Sequence, residues 1–177
     1  MNDEAYMRLA LREAHAAAAK GEVPVGAILV VRGEVVAQAH NLREQLSDPC
    51  AHAELLAIRS ASQALAAWRL LDSTLYVTLE PCLMCMGAAL LGRVERVVFG
   101  AADPRGGAAG SLYDVSQDLR LNHRIEIRSG VLEAECSEVL RQFFKALREQ
   151  RSQEKRSLSP GLKKTGPAAP EKSTSGV

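Results

Sequence analysis

Apolar and polar positions alternate along residues 1–150 with two periods, one helical and one extended. An Ala- and Leu-rich run from Ala5 to Lys20 predicts a first helix, with Asn2 or Asp3 able to cap it and Gly21 placed to end it. Ala27–Val31 and Glu34–Ala39 are extended segments around Arg32-Gly33, a pattern that predicts a tight hairpin. Residues 41–50 form a polar stretch with Asp48-Pro49 and are expected to be a loop. Ala51–Ala67 has helical composition, with Leu55, Leu56 and Ile58 inside it. Leu75–Leu79 is a β-branched and aromatic strand; Pro81 then stands where a helix would begin, running to about Leu91 before Gly92. A strand over Arg96–Gly100, a Gly/Ala loop over Ala101–Gly110 and a short strand over Ile125–Arg128 follow. The last helix, Leu132–Arg148, is apolar at Leu132, Val139, Leu140, Phe143, Phe144 and Leu147. This order predicts an α/β fold in which a mixed sheet lies between helical layers.

The pattern stops near residue 150. From Arg151 the chain lacks apolar periodicity and is rich in Ser, Pro and Gly, so one folded domain over 1–150 and a disordered tail over 151–177 are expected. The tail holds six lysines and arginines against two glutamates, a net +4, which leaves −3 on residues 1–150. The overall charge of +1 therefore hides a division and does not exclude a nucleic-acid partner. The tail reads either as a solvated segment or as a basic arm for phosphates. Four cysteines among 177 residues are too few for a disulfide scaffold. No apolar stretch is long enough to span a membrane, and the acidic start lacks the features of a signal peptide, so a cytoplasmic protein is expected.

Two helix starts carry the chemistry. His52-Ala53-Glu54 opens the second predicted helix, and Pro81-Cys82-Leu83-Met84-Cys85 opens the third. Two cysteines spaced by two residues at a helix N-terminus can face one ion, and the helix dipole favours their thiolate form. His52 adds a third ligand, and a three-ligand zinc site keeps a position open for water. Glu54 is the adjacent carboxylate that can move protons without being a ligand. A lone CxxC also fits a redox pair, and an isolated HxE means little. Together and in this order they match the H-x-E…P-C-x-x-C signature of zinc-dependent deaminases, a known signature whose members include tRNA adenosine deaminases. Cys50 and Cys136 are read as loop and packing residues. His123 is read as structural, and Glu80 as a carboxylate serving the helix that follows it, with a supporting role behind the metal ligands left open.

The segments PVGAILV, AHAELLAI, TLYVTLEPCLMCMGAAL, RVVFGAADPRGGAAGSLYDV, NHRIEI and FFKALR resemble those of the bacterial tRNA-specific adenosine deaminases, from about Ala5 to Arg148. The resemblance implies a three-layer α/β/α, cytidine-deaminase-like fold with a mixed five-stranded sheet. It also implies a homodimer that converts adenosine to inosine at the wobble position of a tRNA anticodon loop. Residue by residue, it implies zinc on His52, Cys82 and Cys85 and a proton shuttle at Glu54. It further implies substrate contacts at Asn41, Asp103, Phe144 and Arg148. Of the adjacent aromatics, Phe144 rather than Phe143 is expected to face RNA. The zinc motif does not separate an RNA-editing enzyme from a deaminase of free bases or nucleosides; the GAAGS loop and the FF…LR helix favour RNA. A non-catalytic zinc-stabilised module is the third reading, and Glu54 beside a three-ligand set argues against it.

Overall fold

The computed structural model describes residues 2–157, with side chains through Glu154. Helix α1 (Asp3–Ala19) starts where Asn2 accepts a hydrogen bond from the Ala5 amide at 3.0 Å. Strands β1 (Gly26–Val31) and β2 (Glu34–His40) follow, joined at Arg32-Gly33 as the hairpin pattern predicts. Next come α2 (Arg43–Leu46), α3 (Ala53–Ala64), β3 (Ser73–Leu79), α4 (Leu83–Leu91), β4 (Arg96–Ala101), β5 (Glu126–Arg128) and α5 (Glu133–Ser157).

The five strands form one mixed sheet in the order β2-β1-β3-β4-β5. Strand β1 runs antiparallel to β2 and β3, with Ala27 opposite Ala39 and Val77; β3–β4 and β4–β5 are parallel, with Val97 opposite Leu75 and Ile127. Helix α4 is the crossover that parallel neighbours β3 and β4 require.

Alternation along each strand sends side chains to opposite faces, and both faces are covered. Ala27, Leu29, Leu75, Val77, Val97 and Phe99 pack with Ala57 and Ala61 of α3 and Met86 and Ala89 of α4. On the other face, Ile28, Val30, Tyr76 and Val98 pack with Tyr6, Met7 and Ala10 of α1 and Cys136 and Val139 of α5. The layers are those of an α/β/α sandwich. Contact between α1 and β1 is close enough that a Cβ on Gly26 would lie 2.0 Å from the Ala10 carbonyl oxygen. Asp3 fastens the start of α1 to the sheet: its carboxylate accepts from Arg96 at 3.0 and 2.9 Å, from the Tyr76 hydroxyl at 2.8 Å, and from Arg128.

Several boundaries differ from the sequence pattern. The expected loop 41–50 contains the single-turn α2, which buries none of its side chains and so leaves no apolar period. Its Gln45 amide donates at 2.9 Å to Glu22, a carboxylate only 1% exposed. Helix α3 is shorter than expected at both ends, with His52 as its N-cap, and α4 starts after Cys82 rather than at Pro81. Helix α5 continues beyond Arg148 to Ser157, where Glu, Gln, Arg and Lys favour helix without an apolar stripe. Residues 1–144 form one compact unit, and the remainder of α5 belongs to a second. The expected disordered tail thus begins as helix over 151–157, while residues 158–177 lie outside the described residues.

Candidate active site

Because β1 is antiparallel to β2 and β3, and β4 is parallel to β3, the segments after β2, β3 and β4 leave the sheet at the same end. That end of a parallel pair is the usual place for a ligand. Here it gathers Asn41 after β2, the Glu80–Cys82 turn after β3 and Asp103 after β4. The N-termini of α3 and α4 point into it, with His52 and Cys82 as their N-cap residues; neither side chain is used as a cap.

His52 Nδ1 lies 3.8 Å from Cys82 Sγ and 3.6 Å from Cys85 Sγ, and the three donor atoms all fall within 4.8 Å of one another. Among the described residues, no other three His, Cys or acidic side chains are grouped this closely. The Cys82 thiol accepts from Cys85 and His52, which holds it down at about 3, whereas its donation to Cys82 together with burial pushes the Cys85 thiol up. The same contact with Cys82 raises the His52 imidazole above its ordinary value. Such a cluster holds protons that a bound cation would displace. Nitrogen-to-sulfur separations of about 3.6 Å are also what tetrahedral zinc requires, given bonds near 2.1 and 2.3 Å.

Glu54 stands in the first turn of α3, 3% exposed, and its Oε2 has no hydrogen-bond partner. Burial pushes its carboxyl above the usual carboxylate range. Buried oxygens are rarely left unpaired, so this one is placed for a molecule that enters the cavity. The cavity, about 140 Å³, has apolar walls at Val23, Val25 and Leu79 and polar ones at Asn41, Glu54 and Asp103. That is well below the roughly 300–1,000 Å³ of sites for drug-sized ligands and suits one flat ring system. A wider groove of about 430 Å³ adjoins it, sharing Val23, Leu79 and Asp103 and adding Pro104, Arg105 and Phe144.

The model of the MafB19-like deaminase family matches residues 1–148. The chain is 54% identical to a tRNA-specific adenosine deaminase of Bacillus subtilis over 157 residues, which is 89% of this chain and 98% of that protein. The chain belongs to the tRNA-specific adenosine deaminases. A solved structure from work on A-to-I editing by tRNA:A34 deaminases at the wobble position shares 43% identity at a TM-score of 0.73, covering 77% of this chain and 99% of its own. A guanine deaminase from Nitrosomonas europaea is more distant, 26% identical at a TM-score of 0.69 over 79% of this chain and 83% of its own. The cytidine-deaminase-like, mixed five-stranded fold expected from the sequence is therefore the one observed.

In this deaminase, six of the eight residues singled out in the sequence come together. His52, Cys82 and Cys85 form the donor cluster, Glu54 lies beside it, and Asn41 and Asp103 line the cavity. Asn41 is also structural: its Oδ1 accepts from the Ala53 amide at 2.9 Å and its Nδ2 donates to the Val23 carbonyl at 3.1 Å. Phe144 is 40% exposed and lines the adjoining groove, while Phe143 is half-buried with its ring edge-on to Phe144. Arg148 lies in the second unit, where its carbonyl accepts from the Ser152 hydroxyl at 2.8 Å.

The remaining sequence readings hold for His123, Cys50 and Cys136 but not for Glu80. His123 bonds to the Val94 carbonyl at 2.7 Å, as expected of a structural residue. Cys50 is exposed and Cys136 buried, both outside the donor cluster. Glu80 does not serve α4. Its carboxylate accepts instead from the loop after β4: the amides of Asp103 and Ala109 at 3.0 Å and of Ser111 at 2.9 Å, and the Ser111 hydroxyl. Burial opposes its charge, yet these donors together hold its carboxyl below the usual range. Arg43, at the cavity rim, was missed because its short helix has no sequence signature.

Proposed function

We propose that this protein hydrolytically deaminates adenosine to inosine at the wobble position of a tRNA anticodon loop, as a cytoplasmic homodimer with one zinc ion per chain. The observation that carries the reading is the unpaired Oε2 of the buried Glu54 carboxylate beside a three-donor cluster, in a cavity sized for one base. Two thiols and an imidazole form a donor set suited to zinc, and no fourth protein donor joins them among the described residues. When bound, zinc supplies a water molecule that ionises near neutral pH.

Glu54 then does the proton work. Its Oε2 is free to accept a proton from the water and to deliver it to N1 of the adenine as C6 is attacked. The raised carboxyl, set chiefly by burial, suits a group that must both accept and donate. The carboxylate then takes the remaining proton from the newly added C6 hydroxyl and passes it to the amino group; the C6–N bond breaks, ammonia leaves and the C6 carbonyl forms, so adenosine plus water gives inosine plus ammonia. The side chain of Asn41 is held by Ala53 and Val23, and its amide retains one N–H and acceptor capacity for the base. Val23, Val25 and Leu79 exclude water from the ring's faces.

The groove past Asp103 favours a polymer over a free purine. A base taken from an RNA loop brings flanking nucleotides with it, and Phe144 offers a ring for stacking while Arg105 offers charge. Arg148 is assigned a phosphate contact from α5. A second copy of the chain is assigned to apolar side chains that remain exposed, among them Trp68, Leu83 and Leu91. A free-purine deaminase is the competing reading, because the fold is shared with a guanine deaminase.

The test compares an anticodon stem-loop carrying adenosine at the wobble position with free adenosine, cytidine and guanine. Inosine in the RNA alone supports the proposal. Ammonia released only from the free compounds overturns it.

A further inference from the structure

We propose that Glu80 is a positioning residue that locks the loop 103–111 onto the Pro81–Cys82 turn, so that the cavity wall bearing Asp103 is formed before RNA arrives. The inference rests on the proposed function for its substrate, but not for its geometry.

Glu80 occupies the end of the path from β3 into the metal-donor turn, two residues before Cys82, and is only 2% exposed. A buried carboxylate needs compensation. Here that comes from four donors belonging to three residues of one loop. Oε1 accepts from the amides of Ala109 and Ser111, while Oε2 accepts from the Asp103 amide and the Ser111 hydroxyl. Both oxygens are thus committed to the loop, although the side chain borders the catalytic cavity.

The backbone repeats the attachment. Cys82 and Gly107 form an antiparallel bridge, and the Ala108 amide donates to the Pro81 carbonyl at 2.8 Å. Gly107 passes so near the carboxylate that a Cβ there would lie 2.3 Å from Glu80 Cδ and 2.5 and 2.6 Å from its oxygens. A flexible carboxylate would ordinarily move aside. This one is held by four hydrogen bonds, so glycine is required.

The loop's far side faces substrate. Asp103, whose amide Glu80 holds, borders both the cavity and the groove, and its own carboxylate accepts from the Arg105 amide at 3.0 Å. Releasing the Glu80 bonds would free Asp103 and Arg105 without touching the donors at His52, Cys82 and Cys85. The cost of ordering the loop would then fall on RNA binding.

The test uses the zinc-loaded full chain and the variant Glu80→Gln, in which an NH₂ group faces N–H and O–H donors. Hydrogen exchange at the amides of Asp103, Ala109 and Ser111 is expected to accelerate at least tenfold. Zinc content should stay at one per chain, and KM for the stem-loop should rise at least tenfold with kcat within threefold. Gly107→Ala, which keeps every charge but displaces the carboxylate, should give the same signature and decides the matter if Glu80→Gln unfolds. Unchanged protection at the three amides overturns the proposal, as does a fall in kcat with KM unaltered. If the wild-type protein does not deaminate the stem-loop, the functional reading fails while the exchange result still decides the lock.

Discussion

Replacing Glu54 by glutamine removes proton transfer while keeping size and shape. The consequence is set by what else in the cavity could take over. Glu80 cannot, since both of its oxygens accept hydrogen bonds from the 103–111 loop. Asp103 has one oxygen accepting from the Arg105 amide and belongs to the wall after β4, not to the donor-cluster helices. Among the described residues, Glu54 alone combines burial, an unpaired oxygen and adjacency to His52. General acid–base catalysis contributes roughly 10²–10⁴ in rate for one transfer, or about 3–5 kcal/mol of barrier. Because the same carboxylate serves two transfers, the loss in kcat should reach about 10⁴-fold or more. Single-turnover formation of inosine in an anticodon stem-loop measures it, alongside zinc content and RNA affinity. Zinc should remain at one per chain and affinity within threefold of wild type, since Glu54 is not among the grouped donors. A Glu54→Gln variant within tenfold of wild-type kcat would refute the assignment.

Three further outcomes are expected. Cys82→Ala removes one of three donors, so elemental analysis should find far less than one zinc per chain; full occupancy would contradict the cluster as the metal site. Asp3→Asn weakens the contacts to Arg96, Tyr76 and Arg128 and should cost about 2–3 kcal/mol near neutral pH, between exposed and fully buried pairs. Arg96 chiefly holds the Asp3 carboxyl below its ordinary value of 3.8, so this stability is complete above that value and lost as pH falls through the folded one. Denaturant titrations should therefore show the wild-type advantage shrinking below about pH 4, and a pH-independent gap would argue against the ion pairs. Gly26→Ala places a Cβ against the backbone of α1 and should lower Tm by roughly 3–10 °C; an unchanged Tm would mean that the helix can move away from the sheet.

The donor cluster was legible in the sequence because its parts are local. His52 and Glu54 lie two positions apart and Cys82 and Cys85 three, and each group sits at a helix start that proline or loop residues announce. The layers were legible from the order of elements, since helices that alternate with strands along the chain predict a sheet covered on both faces. Contacts between distant segments were not. Glu80 stands before a helix, where an acid ordinarily meets helix amides, and only the order β3-β4 brings the 103–111 loop over it. Helix α2 escaped notice because a partner outside it, Glu22, supports it in place of a buried face. The cavity walls at Val23, Val25 and Leu79 come together only when β1 and β3 pair, so no local pattern marks them. In α5 the apolar stripe ended before the helix did, since charged helix formers continue it to Ser157.

The most direct test of the central claim is the position of inosine in a complete tRNA after incubation with the zinc-loaded protein. Reverse transcription reads inosine as guanosine, so each adenosine of the anticodon loop can be scored separately. Conversion at the wobble adenosine alone, abolished in Glu54→Gln, is the predicted result. Equal conversion of other loop adenosines, or an intact tRNA beside deaminated free purine, would contradict the account.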